Sequence, residues 1–245
     1  MKLTEQIYLI GSGGMGLSAP GDCNVYAVAD GKDILLIDCG LNPDPEKLLS
    51  NLEKDGLNPR NIRGVILTHV HADHVGALPA FRERGIPILA SQEGGRVLQQ
   101  GVRAYYQMEQ LPPSGFRDFF CGAPVLEADA LLSAWQEIAV GRQSLIVIPT
   151  PGHSPDSVCF LLREKGKKYL FTGDTLFYPG QINYFAGPLS RIDAYPATLR
   201  TLAELKPDGL FPGHAMFTVD RGWLSTDSAL ACIETGTLPP MKSYS

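Results

Sequence analysis

The stretch that decides the fold is Ile62-Arg-Gly-Val-Ile-Leu-Thr-His-Val-His-Ala-Asp-His-Val-Gly-Ala-Leu78. Its apolar run Val-Ile-Leu predicts a buried strand. That strand leads into His69 and His71, which are two residues apart, so both imidazoles project to one side of an extended chain. Asp73 and His74 follow in the turn before the next predicted helix. One metal site does not usually take four ligands from a single short segment. The pattern therefore indicates two metals side by side.

The chain has only two other histidines, His153 and His214, and both stand in a Pro-Gly-His turn after an apolar run. Each therefore lies at the end of a predicted strand, where loops carry functional groups. A polar loop with solvated histidines is the alternative interpretation of the first motif. The absence of any histidine at an ordinary core or surface position argues against that alternative.

Composition is typical of a globular protein with a substantial core. The 245 residues are 44% apolar, and a net charge of −5 provides no basic surface for nucleic acid. No apolar run approaches the roughly 18 residues of a membrane span, and the N-terminus lacks the apolar core of a signal peptide. Five cysteines without a C-x-x-C pair fit reduced thiols. We therefore expect a cytoplasmic protein with no nucleic-acid or membrane partner.

Hydrophobic patterning predicts strands and helices that alternate along the chain. Predicted strands cover residues 7–10, 24–28, 34–37, 65–67, 86–89, 145–148, 158–162, 169–171 and 209–211. Helical spacing is found at residues 45–55, 74–84, 92–110 and 193–205. Two clusters of strands with helices alongside predict an α+β protein with the layers of an α/β fold. No Pro/Gly/Ser-rich linker divides residues 1–245, so we expect a single domain.

Residues 91–140 are the least regular segment, and they lengthen the connection between His74 and His153. We expect this segment to be a helical and loop insertion near the metal ligands, where specificity is often built. Its aromatic side chains are open to two interpretations, as packed core or as a substrate wall.

The glycines of Gly11-Ser-Gly-Gly-Met-Gly16 match the G-x-G-x-x-G fingerprint of dinucleotide sites. That fingerprint requires a helix to begin at the glycines. The sequence continues with Leu-Ser-Ala-Pro-Gly-Asp, which breaks a helix. We therefore interpret the segment as a flexible hairpin loop.

The order of the motifs resembles the metallo-β-lactamase superfamily of hydrolases. The resemblance rests on His-x-His-x-Asp-His, the two Pro-Gly-His turns and the Gly-Asp-Thr of residues 173–175, and it extends from about Tyr8 to Phe217. Residues 173–177 are especially similar to glyoxalase II proteins. The resemblance implies a four-layer αββα sandwich with metals at one edge, between two sheets.

By that resemblance, seven side chains would hold two divalent metal ions. The ligands implied for the first ion are His69, His71 and His153, and those for the second are Asp73, His74 and His214, with Asp174 bridging both. Asp73 and His214 are also the candidate catalytic residues. Imidazoles and carboxylates without a thiolate suit zinc, iron and manganese, and zinc is the metal we expect.

The charges of such a site favour hydrolysis. Two dications bring four positive charges, and Asp73 with Asp174 offsets two of them. The excess favours a metal-bound hydroxide, since a metal lowers the pKa of water to about 7, and it stabilises an anionic tetrahedral intermediate. We therefore expect a metal-dependent hydrolase that attacks the ester, thioester or lactone carbonyl of a small molecule.

Two other activities remain as alternatives. A mononuclear iron persulfide dioxygenase would need an open face on one iron, and the Gly-Cys-Gly-Arg-like stretch of that family is absent here. A phosphodiesterase or nuclease is disfavoured by the acidic charge. Glutathione thioesters are also disfavoured as substrates. The glyoxalase II proteins that the chain resembles bind the glutathione part with a basic C-terminal extension, whereas Arg221 and Lys242 are the only basic residues after His214 here.

Four residues are candidates for binding substrate: Tyr178, Tyr184, Arg191 and, in the insertion, Arg103. Each has a competing interpretation as a packing or surface residue. Asp38, at the end of a predicted strand, either orients the metal-bearing loop or caps a turn. The sequence leaves monomer and homodimer both open.

Overall fold

The computed structural model of the protein describes residues 1–108, 115–185 and 187–242. The chain divides into two compact units, which we call the first unit (Met1–Ser133 and Ala139–Arg142) and the second unit (Ala134–Ile138 and Gln143–Ser245). Each unit combines a sheet with helices, so the expected α+β class is confirmed. That residues 1–245 act as one domain stays a prediction.

The first unit is built on a six-stranded sheet whose strands lie in chain order. These strands are β1 (Ile7–Gly11), β2 (Val25–Asp30), β3 (Asp33–Ile37), β4 (Ile62–Ile66), β5 (Ile88–Ser91) and β6 (Ala130–Leu132). The first three are antiparallel, and β3 to β6 are parallel. Because parallel strands end at the same edge, the residues that follow β3 and β4 are brought together there.

Helices of the first unit follow from apolar spacing and from glycine breaks. They are α1 (Glu46–Lys54), α2 (Ala72–Val75), α3 (Leu78–Glu83), α4 (Gln92–Gln100), α5 (Val102–Tyr105) and α6 (Gly115–Phe120). In α1, Leu48, Leu49 and Leu52 are buried at helical spacing while its charged residues are exposed.

Two helices expected as continuous are each divided in two. The helix predicted for residues 74–84 is interrupted at Gly76, where an added Cβ would lie 2.0 Å from the Leu41 carbonyl oxygen. The helix predicted for residues 92–110 is interrupted at Gly101, whose φ of 82° is readily adopted only by glycine. Residues 109 and 110 of that prediction lie outside the described part of the chain.

The second unit is built on a five-stranded sheet in the order β11-β10-β9-β8-β7. Its strands and helices are β7 (Glu137–Val140), β8 (Gln143–Pro149), β9 (Val158–Glu164), β10 (Lys167–Gly173), β11 (Gly209–Pro212), α7 (Tyr195–Leu205) and α8 (Trp223–Glu234). Strand β9 is antiparallel to both β8 and β10, and β10 is parallel to β11. Strands β8, β10 and β11 therefore run in the same direction and end at the same edge.

Residues 91–140 contain more regular structure than the sequence predicts. Besides α4, α5 and α6, they contribute strand β6 to the first sheet and strand β7 to the second. The glycine-rich segment 11–16 lies between the antiparallel strands β1 and β2, with no helix at the glycines, as the hairpin interpretation requires. In the described ranges, no helix is long and apolar enough to span a bilayer.

Candidate metal centre

The four candidate ligands of the first unit lie in the loop after β4 and in the short helix α2. His69, His71, Asp73 and His74 are each at most 2% exposed. Backbone hydrogen bonds fix this loop, since Cys39 N donates to the His74 carbonyl oxygen at 2.8 Å. The end of β3 is thereby tied to the loop, and the parallel pairing of β3 and β4 explains why the two segments meet.

Asp38, the residue after β3, is the buried acceptor that organises this loop. Its carboxylate accepts hydrogen bonds from the Thr68 backbone N at 2.8 Å, from Thr68 Oγ1 at 2.7 Å and from His74 Nδ1 at 2.8 Å. Its φ of 61° is left-handed, a conformation that aspartate tolerates better than most residues. Of the two interpretations of Asp38, the structure supports the one in which it orients the ligand loop.

Proton counting assigns the tautomers of His69 and His74. The hydroxyl proton of Thr68 goes to Asp38, so His69 Nδ1, 3.0 Å from Thr68 Oγ1, is the donor in that contact. His74 Nδ1 faces a carboxylate that only accepts, so it also carries a proton. In the neutral imidazole the lone pair is then on Nε2 of both rings, which is the form that binds a metal.

The spacing between donor atoms fits a shared cation. His69 Nε2 lies 3.0 Å from His71 Nδ1, and His74 Nε2 lies 3.8 Å from Asp73 Oδ2. Two donors that each lie about 2.1 Å from a tetrahedral zinc are roughly 3.4 Å apart. Each pair is therefore within a few tenths of an ångström of the separation that one ion requires.

Cys23 lies beside this loop, and its thiol comes within 4.8 Å of ligand atoms of Asp38 and His74. Burial raises the pKa of the Cys23 thiol to about 12, so the group stays protonated at neutral pH. In this cluster His74 Nδ1 is hydrogen-bonded to the Asp38 carboxylate. We therefore regard the cluster as support for the ligand loop rather than as a thiolate metal site.

The three candidate ligands of the second unit follow three strands that run in the same direction. His153 lies in the loop after β8, Asp174 directly follows β10, and His214 comes two residues after β11. Gly213 N donates to the Gly173 carbonyl oxygen at 2.8 Å, which holds the ends of β10 and β11 together.

Asp174 lies between the two imidazoles of the second unit. Its Oδ2 is 3.8 Å from His153 Nε2 and 3.6 Å from His214 Nε2. His153 Nδ1 faces the Asn183 carbonyl oxygen at 3.1 Å and therefore carries the proton, which places the lone pair on Nε2. One carboxylate oxygen thus faces two imidazoles, as a bridging carboxylate would.

The donor set of both units fits divalent metal ions. It consists of imidazoles and carboxylates without a thiolate, and six of its seven members are at most 2% exposed. Burying carboxylates is costly without compensating positive charge, and metal ions supply that charge. His214 is the exception, with a side chain that is 17% exposed.

The candidate substrate residues have varied surroundings. Tyr178 is 41% exposed, and Tyr184 is half-buried against the apolar core of the second unit. Arg191 forms a two-point ion pair with Asp193, and Arg103 pairs with Asp118 at 2.9 Å. Their role in substrate binding stays a prediction.

Sequence inspection missed one aromatic neighbour of the ligand loop. The ring of Phe120, in α6, lies 5.8 Å from the ring of His71, and Phe120 is 6% exposed. Part of the irregular segment 91–140 therefore packs against the ligands of the first unit. Adjacent phenylalanines in the sequence were the available signal. Which of them contacts the candidate ligands depends on the position of α6, and the sequence does not give that position.

Comparison with known proteins gives a family and relatives. The model of the "Metallo-beta-lactamase superfamily" matches residues 18–214. The chain is 31% identical over 214 residues to "Acyl-coenzyme A thioesterase MBLAC2" of Gallus gallus, and the aligned region covers 81% of this chain and 74% of that protein. It is 33% identical over 210 residues to "Hydroxyacylglutathione hydrolase" of Anaeromyxobacter dehalogenans, with 77% and 68% covered.

Solved structures share the fold. Metallo-beta-lactamase family protein TTHA1429 from Thermus thermophilus superposes with a TM-score of 0.74 at 21% identity, over 96% of this chain and 81% of that one. BJP-1, a subclass B3 metallo-beta-lactamase of Bradyrhizobium japonicum, gives a TM-score of 0.70 at 20% identity, with 96% and 92% covered. At such identities the likeness shows the fold alone, and it confirms the metallo-β-lactamase fold expected from the sequence.

Proposed function

Because this chain belongs to the metallo-β-lactamase superfamily of hydrolases, we propose that it uses two divalent metal ions to hydrolyse a thioester. The observation that carries the metal proposal is the common orientation of His69, His74 and His153. Each uses Nδ1 for a partner within its own unit and has its lone pair on Nε2. Because all three imidazoles have the lone pair on Nε2, a role as metal ligands is favoured over a role in packing.

We assign the seven ligands as the resemblance to the superfamily implies. His69, His71 and His153 would hold one ion, and Asp73, His74 and His214 the other, with Asp174 bridging. The 3.0 to 3.8 Å separations of ligand atoms within each unit support this assignment. Zinc is the metal we propose first, and iron and manganese are the alternatives, since imidazoles and carboxylates without a thiolate suit all three.

Divalent metals bound here would lower the pKa of a water molecule and stabilise negative charge on the carbonyl oxygen. The residues of the chain would supply the geometry. Asp73, which is 2% exposed, would accept a hydrogen bond from the attacking water at a carboxylate oxygen. His214, the most exposed of the seven candidate ligands, would lie on the side from which the substrate approaches.

The choice of a thioester over an oxygen ester or a lactone is supported by two relatives. The names of both, an acyl-coenzyme A thioesterase and a hydroxyacylglutathione hydrolase, denote cleavage of a thioester. We propose the cytoplasm as the location, a setting in which five free cysteines are stable.

The test is a substrate panel on purified protein, run before and after metal removal and again after zinc is restored. The panel contains an acyl-coenzyme A, a glutathione thioester, a p-nitrophenyl ester, a lactone and bis(p-nitrophenyl) phosphate. We expect thioester hydrolysis that is lost with the metal and regained with zinc. Activity on the phosphodiester alone would contradict the proposal, and so would oxygen consumption with a persulfide by a protein holding one iron.

A further inference from the structure

One segment of the second unit surrounds the turn that carries His153. We define it as the strap, residues 183–185 and 187–198, which leads from the loop after β10 into α7. It contains the candidate substrate residues Tyr184 and Arg191. Its contacts with the turn are hydrogen bonds to main-chain groups as well as to the imidazole.

The strap donates one hydrogen bond to each successive carbonyl of the Pro-Gly-His turn. The three bonds are Thr198 Oγ1 to Pro151 O at 2.7 Å, Arg191 N to Gly152 O at 2.8 Å and Ser190 Oγ to His153 O at 2.6 Å. With all three carbonyls held, the backbone of the turn has little freedom to rotate.

The strap also holds the imidazole itself. His153 Nδ1 donates to the Asn183 carbonyl oxygen, which also accepts from the hydroxyl of Tyr195 at 2.5 Å. The Tyr195 ring packs closely against Gly152, where an added Cβ would lie 2.9 Å from ring atoms. The orientation of His153 is therefore fixed at both its backbone and its ring.

Ser190 is the central point of this arrangement. Its Oγ donates to the His153 carbonyl and accepts from Phe185 N at 2.8 Å, so one hydroxyl joins the turn to the first part of the strap. The Phe185 ring lies 5.6 Å from the ring of His153. Removing this hydroxyl would release the backbone of His153, while the imidazole would keep its own hydrogen bond to the Asn183 carbonyl oxygen.

We propose that the strap sets the affinity of the metal ion bound through His153, with Ser190 and Thr198 as positioning residues. The inference rests on the proposed two-metal function and adds a determinant for one of its two sites. Partners that orient a ligating histidine typically change metal affinity 10- to 100-fold when they are removed. Neutral hydroxyl-to-carbonyl bonds belong at the lower end of that range.

The experiment measures zinc dissociation constants by chelator competition on fully loaded protein. Ser190→Ala and Thr198→Val each remove one strap hydroxyl, and Thr198→Ser keeps the hydroxyl at residue 198. Thr201→Val is the matched control, since the Thr201 hydroxyl bonds only within α7 and is exposed. We expect about tenfold weaker binding of one zinc ion in the first two variants, an unchanged second ion, and wild-type constants in Thr198→Ser and Thr201→Val.

Thermal unfolding of the metal-free variants separates positioning from general stability, because a merely structural role lowers Tm without altering affinity for one ion. Wild-type zinc constants in both Ser190→Ala and Thr198→Val would overturn the strap proposal, as would equal losses at both sites. Wild-type protein that fails to bind two ions would instead overturn the proposed function, and the strap proposal with it. If Ser190→Ala does not fold, the Thr198→Val and Thr198→Ser pair decides.

Discussion

One histidine in each unit, His74 in the first and His153 in the second, donates a hydrogen bond to a different kind of acceptor. In the first unit His74 Nδ1 donates to the buried carboxylate of Asp38 at 2.8 Å. In the second unit His153 Nδ1 donates to the neutral main-chain carbonyl of Asn183 at 3.1 Å. Hydrogen bonds to charged acceptors are shorter and roughly twice as strong as neutral ones. The first unit therefore depends on one charged side chain, and the second on several weaker contacts that share the task.

The two sets of candidate ligands also differ in how they are distributed along the chain. The first unit takes four of them from residues 69–74, while the second collects three between residues 153 and 214. A single loop after β4 positions the first set. The second set depends on the pairing of whole strands, because β8, β10 and β11 are each followed by one of the three residues.

The largest effect is expected from changing the charge at the point where the second set converges. Asp174→Asn keeps the size of the side chain and one oxygen, but it removes a negative charge that faces His153 and His214. A carboxylate charge in direct contact with a dication is worth several kcal/mol in a dry site. We expect a loss of at least about a hundredfold in kcat, which corresponds to about 2.7 kcal/mol on the barrier, and incomplete metal loading.

Asp227→Asn is the matched control for that variant, since Asp227 pairs with Lys206 on the surface of the second unit. Its turnover and metal content should equal those of the wild type. Full metal content and wild-type kcat in Asp174→Asn would show that Asp174 does not bridge metal ions.

The next effect tests the comparison directly. Asp38→Asn preserves shape but replaces one carboxylate oxygen with an NH2 group, which cannot accept from Thr68 and His74. We expect about a hundredfold weaker binding of the zinc ion held by His74, the upper end of the range for such partners. Chelator competition measures it beside Ser190→Ala. A smaller loss of zinc affinity in Asp38→Asn than in Ser190→Ala would contradict the distinction between charged and neutral hydrogen-bond acceptors.

A smaller effect is expected at the edge of the first ligand loop. Phe120→Leu removes the ring that lies 5.8 Å from the His71 ring while it keeps an apolar side chain. We expect a change of about threefold in KM or kcat, since the exchange keeps an apolar side chain near His71 but reduces its volume. Phe119→Leu is the control, because Phe119 is 44% exposed. Identical kinetics in both variants would mean that α6 does not influence the site.

Much of the candidate site could be predicted from the sequence because its chemistry is local. The His-x-His-x-Asp-His motif identifies ligands by residue type, and the two Pro-Gly-His turns mark strand ends. The partners of these ligands were harder to find. Asp38 was visible as an alternative, but the role of Asn183 rests on a main-chain carbonyl, which every residue has. No side-chain pattern reports a contact of that kind.

The fold was predictable to a similar extent. Long apolar strands such as β2 and β9 were found, whereas β6 was missed because it has three residues and two of them are exposed. The break at Gly76 was also missed, since it depends on the close approach of Leu41 from another part of the chain. Local patterns do not encode such contacts, and tertiary packing overrides helix propensity there.

The most direct test of the two-metal account is a zinc titration of metal-free protein in which bound zinc and thioester turnover are measured together. We expect turnover to rise until two zinc ions are bound per chain and then to stay constant. We also expect the Asp174→Asn protein to reach full occupancy only at higher zinc concentration. Full turnover with one ion bound per chain, or in protein without metal, would contradict the two-metal account.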